Sequence, residues 1–184
     1  MSTYTELKGL KVKYLASDPD PEAAGDVWYN STTSVLKTFV GRAAWSAGSP
    51  LSTARNIGAF FGTQTAAVSV GGNASTFSQQ TEEYNGSGWS VGENIPAVRG
   101  FSAGGGTLTA GLIFGGHSPN TTTFNTTFEY DGTDWTAGGN INTARFSLAG
   151  AGTQTAGLAF GGNPGSKNES EEYNGTAWTE GQLL

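Results

Sequence analysis

The chain has 184 residues, a formal charge of −6 and a pI near 4.6, with only 9 lysines and arginines. So few cations argue against nucleic acid as a partner, and no apolar run nears the ~18 residues of a membrane span, so no membrane insertion is expected. Cysteine is absent, so packing and hydrogen bonds must hold the fold without disulfides.

Residues 1–48 come first. Met1 to Lys13 lacks the apolar core of a signal peptide, which gives the expectation of synthesis in a cytoplasm without export. Leu10 to Tyr14 reads as a strand, and Ser17 to Pro21 as a proline-punctuated loop. The stretch Gly25-Asp26-Val27-Trp28-Tyr29-Asn30, a turn at Ser31-Thr32-Thr33 and Val35-Leu36-Lys37 read as a hairpin, with a last strand running to Gly41 and Trp45.

Residues 49–184 repeat three times, over about 49–92, 93–138 and 139–184. Arginines stand at Arg55, Arg99 and Arg145, spaced by 44 and 46. Glycine pairs end an apolar run at Gly71-Gly72, Gly115-Gly116 and Gly161-Gly162, with the same spacing. Glu-Tyr pairs end at Tyr84, Tyr130 and Tyr173, and tryptophans follow at Trp89, Trp135 and Trp178. In each unit the first strand is read from the arginine onward, as in Arg145 to Gly150. The second ends at the glycine pair. The third carries the Glu-Tyr and is closed by Asn-Gly or Asp-Gly, and the fourth carries the Trp. Four short strands per unit without helical periodicity predict an all-β fold of propeller blades.

The order Arg, apolar strand, Gly-Gly, Tyr, Trp resembles the kelch repeat. The resemblance implies that the tyrosines and tryptophans pack between neighbouring blades. The segment from Gly25 to Gly41 resembles a short module of bacteriophage tail fibres and other virion proteins. Trp45 lies 44 residues before Trp89, so residues 1–48 read equally as a divergent fourth blade. Three blades alone would close poorly, which calls for a homo-oligomer.

Candidate chemistry is sparse. His117 is the only histidine, so no metal site of the usual ligand types and no cofactor are expected. Asp18, Asp20 and Glu22 alternate, but Pro19, Pro21 and a missing loop glycine argue against calcium. Glu82-Glu83 and Glu171-Glu172 have the residue types of a glycosidase pair. Their fixed place in the repeat points instead to structural ties, each repeat arginine pairing with a glutamate of the third strand. The variable loops after the glycine pairs carry the candidate binding residues: Asn73 and Phe77, then His117, Asn120 and Phe124, then Asn163 and Lys167.

The expectation is a non-enzymatic virion protein, a tail fibre or particle appendage. It would attach to other virion proteins and engage a host-surface glycan or protein receptor. The alternatives are a cellular kelch-type interaction module and a glycan-degrading propeller enzyme.

Overall fold

A computed structural model describes residues 12–20, 26–38 and 47–182. All described regular structure is β, and the chain divides into two compact units, Met1–Ala47 and Gly48–Leu184. No helix is long and apolar enough to cross a membrane among the described residues.

The first unit holds a three-stranded sheet of β1 (Lys13–Leu15), β2 (Val27–Asn30) and β3 (Val35–Thr38). The β2–β3 hairpin is the one read from the sequence. Its turn is held by Asn30, whose Oδ1 accepts from the backbone N–H groups of Thr32 (3.1 Å) and Thr33 (3.0 Å). β1 runs parallel to β2, unlike the antiparallel pairing of every sheet in the second unit. Val40, Gly41 and Trp45, and with them the spacing from Trp45 to Trp89, lie outside the described residues.

Asp18 ties this sheet together. Its carboxylate accepts from Trp28 Nε1 (2.9 Å), Asn30 Nδ2 (2.8 Å) and Lys37 Nζ (2.7 Å). The Lys37 hydrogen bond foremost, then those from Asn30 and Trp28, hold its pKa at about 2. Because the folded value lies below the unfolded one, this stabilisation is present above the ordinary carboxylate range and is lost as pH falls toward 2. The indole N–H resonance of Trp28 should therefore move on acidification from pH ~4 to ~2. In Asp18→Asn that acid transition should be absent.

The second unit is three four-stranded antiparallel sheets of one design. The first contains β4 (Ala59–Thr63), β5 (Ala66–Val70), β6 (Thr81–Tyr84) and β7 (Trp89–Gly92). The second contains β8 (Ala103–Thr107), β9 (Ala110–Phe114), β10 (Thr127–Tyr130) and β11 (Trp135–Ala137). The third contains β12 (Ala149–Thr153), β13 (Ala156–Phe160), β14 (Ser170–Tyr173) and β15 (Trp178–Glu180). Each sheet runs in simple strand order, and each Tyr faces its Trp across the last pair. This is the all-β, blade-like repeat expected of a propeller. One boundary differs: the first strand begins four residues after the arginine, because the residue two after each arginine has a left-handed backbone, with φ of 53° at Ile57, 58° at Phe101 and 52° at Ser147.

The sheets stack face to face, with β8 lying against both β4 and β12. One core, built from residues such as Phe61, Val68, Ile113 and Tyr130, fills the space between the first and second sheets. A second, built from Leu112, Phe114, Tyr173 and Trp178, fills the space between the second and third. β9 thus feeds alternate side chains into two cores, which is why Leu112-Ile113-Phe114 is continuously apolar and fully buried.

The glycine pairs stand where backbone meets backbone. The N–H of Gly72 donates to the Arg99 carbonyl (2.8 Å), and that of Gly116 to the Arg145 carbonyl (2.8 Å). Gly115 has φ of 65°, and a Cβ there would lie 2.6 Å from the Arg145 carbonyl oxygen. Gly115→Ala should lower stability by at least about 2 kcal/mol, the left-handed strain adding to the overlap. Urea unfolding checks this.

Candidate functional site

The repeat residues form the frame from which any site must be built. Arg145 Nη1 donates to the carbonyls of Gly161 (3.2 Å) and Glu169 (3.0 Å), and its Nη2 donates to the Glu171 carboxylate. Both side chains are buried. Arg55 repeats this with Glu82 and the carbonyls of Gly71 and Gln80. Burial opposes ionisation of Glu82. Hydrogen bonds from Ser52 and the Arg55 charge outweigh it and hold the carboxyl below its usual range.

Arg99 departs from the expected pairing with a glutamate, because its repeat places Phe128 where the others have Glu82 and Glu171. Its guanidinium lies 4.6 Å from the Phe124 ring centroid and 4.7 Å from that of Phe128, and donates to Gly115 O (3.1 Å) and Thr126 Oγ1 (2.9 Å). Burial pushes its pKa down to about 10.

The glutamate before the tyrosine serves the neighbouring sheet in the first two repeats, as Glu83 and Glu129. Tyr130 donates its hydroxyl proton to Glu83, and Tyr173 donates to Glu129 at 2.5 Å. Burial, and then the accepting carboxylate, raises both phenols, Tyr173 to about 12. The tryptophans add a parallel tie: Trp135 Nε1 donates to Thr81 Oγ1 (3.1 Å), and Trp178 Nε1 to Thr127 Oγ1 (2.9 Å). Tyr130, Trp135, Tyr173 and Trp178 therefore pack between sheets.

The end of the stack where first strands begin and second strands finish is different in character. There the left-handed residues are linked through the backbone, Phe101 N–H to Ile57 O (2.7 Å) and Ser147 N–H to Phe101 O (2.9 Å). An aromatic row crosses the sheets at this end. Ring centroids are 6.4 Å apart for Phe77–Phe101, 6.1 Å for Phe101–Phe146 and 4.9 Å for Phe146–His117. All four rings are half-buried, so each keeps part of its surface in water, while Phe146 meets Phe101 and His117 edge-to-face and Phe77 meets Phe101 at a tilt.

The loop residues read from the sequence differ in where they stand. Phe77 and His117 belong to the row. Asn73, His117 and Asn163 are equivalent and bridge back to Asn56, Gly100 and Phe146 through the backbone, which fixes each loop's base. Asn120 is exposed at the tip of the second loop, and Lys167 lies half-exposed, 3.6 Å from Glu169. Phe124 instead turns inward under Arg99. Phe101 and Phe146 were missed, since the sequence places them at the start of the first strand.

This arrangement suits binding through apolar faces rimmed by amide and hydroxyl groups. Glu82 and Glu171 are bound to arginines, and Glu83 and Glu129 to tyrosines. Among the described residues, no group of three His, Cys, Asp or Glu side chains could hold a metal ion. A scan against protein-family models returns no match, and a search of curated proteins finds none either.

Proposed function

We propose that the chain is a non-enzymatic structural protein of a bacteriophage particle, part of a tail fibre or appendage. It attaches to other virion proteins through residues 1–48, and it engages a host-surface glycan or protein through the loop end of its kelch-like blades. The virion reading rests on the likeness of Gly25 to Gly41 to a tail-fibre module. The observation that carries the binding reading is the half-exposed row Phe77, Phe101, Phe146 and His117 on a frame whose buried arginines and glutamates already have partners within it. Aromatic faces held rigidly among polar loops stack on sugar rings or accept apolar protein side chains at low entropic cost.

The test is immunogold labelling of particles of the encoding phage with an antibody raised against the chain. Label on the virions is the expected result, and particles without label would refute the assignment.

A further inference from the structure

The contacts that join the three sheets repeat, and they leave complementary halves at the two ends of the stack. At both internal junctions a tyrosine of the later sheet donates to a glutamate of the earlier one. Tyr84 of the first sheet makes no such bond among the described residues, and Glu172 of the third is exposed. The backbone link from Phe101 to Ile57 and from Ser147 to Phe101 would continue with a donor for the Ser147 carbonyl. The matching donor is the Ile57 N–H, which has no acceptor among the described residues. Trp135 Nε1 is shared between Thr81 Oγ1 of the earlier sheet and Glu93 O. Among the described residues Trp89 has only the equivalent carbonyl, that of Ser49 (3.1 Å), and the Thr81 position of the third sheet is Ser170, whose hydroxyl donates to Gln182 O (2.6 Å) and can still accept.

Side-chain size is complementary as well. At the first junction the bulky Phe61 lies against Gly104, whose Cβ would come within 3.2 Å of it. In the end faces that size pair is exchanged: the third sheet has Ala151 at the Phe61 position, and the first has Phe60 at the Gly104 position, 55 % exposed. The glycine pair is open at the same end. A Cβ on Gly115 would strike the next sheet's backbone, whereas one on Gly161 would meet nothing nearer than 3.7 Å among the described residues.

We infer that the open face of the third sheet receives the open face of the first sheet of a second copy of this chain, head to tail, continuing the stack into a closed oligomer. The junction reuses the bonds of the internal ones, so its occupant is another such sheet rather than an unrelated surface. The inference goes beyond the proposed binding role and stands without it.

Native mass measurement on the full chain tests it. A closed oligomer is expected. Phe60→Glu and Ala151→Glu, both at exposed positions, should each weaken association by about a hundredfold with β-sheet circular dichroism retained. Mixing the two variants should give a heterodimer, because one keeps an intact third-sheet face and the other an intact first-sheet face. A monomeric wild type, as when residues 1–47 of the same chain cover these faces, would overturn the inference. So would an oligomer that both variants retain, or a mixture that forms no heterodimer.

Discussion

Arg145→Met is expected to destabilise the protein by about 3–5 kcal/mol. Glu171 is 2 % exposed, and its carboxylate accepts from the backbone N–H (2.6 Å) and the side-chain amide (2.9 Å) of Asn142 as well as from Arg145. Removing the guanidinium leaves that carboxylate buried with no cation and frees the carbonyls of Gly161 and Glu169. The cost is the desolvation of the stranded charge, which the remaining neutral donors offset only in part. Arg99→Met should behave differently. No carboxylate is stranded, and the new thioether packs between the Phe124 and Phe128 rings. The loss reduces to the cation–π contact and the hydrogen bonds, about 1–2 kcal/mol. Denaturant unfolding of the two variants side by side reads the difference, and equal losses would contradict the distinction between a paired and a caged arginine.

Trp178→Ala is the second large effect, at about 3–5 kcal/mol. The indole is 5 % exposed, edge-on to Phe114 at 4.7 Å and tilted on Tyr173 at 4.9 Å. It fills the space between the second and third sheets, beside Ile141 and Leu148 of the segment that joins them. Truncation opens a cavity in a junction made of β-strands, and strands locked in register collapse poorly into it. Trp178→Phe separates packing from hydrogen bonding. It keeps most of the ring contact but leaves the Thr127 hydroxyl without its donor, so a cost of about 1 kcal/mol is expected from the lost bond, with a smaller packing term. Thermal unfolding of the pair measures both contributions.

Much of this is legible in the sequence. The spacing of Arg, Gly-Gly, Tyr and Trp gave the four-strand unit because each landmark has one physical job. Gly115 is needed where φ is positive and a neighbouring carbonyl crowds it, and Trp178 where two sheets leave a wide gap. Asn174 likewise announced its turn, since its Oδ1 accepts from the N–H groups of Thr176 and Ala177 (2.9 Å each). The partner of Arg99 was misread because repetition was trusted over identity: Phe128 breaks the acidic pattern, and the cation is met by aromatic faces instead. The row at the loop end was only half visible. Phe77 and His117 lie in loops that read as loops. Phe101 and Phe146 follow arginines and look like strand openings, and nothing local announces a left-handed backbone at Ile57 or Phe101, residues that disfavour it. That conformation is held by sheet-to-sheet backbone bonds, a tertiary fact with no signature in a single sequence.

The repeated frame carries stability, and the proposed function places recognition on the aromatic row. Binding of the chain to an array of bacterial surface glycans, with Phe101→Ala and Phe146→Ala measured alongside wild type, tests that division most directly. The predicted result is binding by wild type and a loss of about tenfold or more in each variant, with thermal unfolding little changed. Wild-type binding that survives both substitutions in folded protein would contradict it.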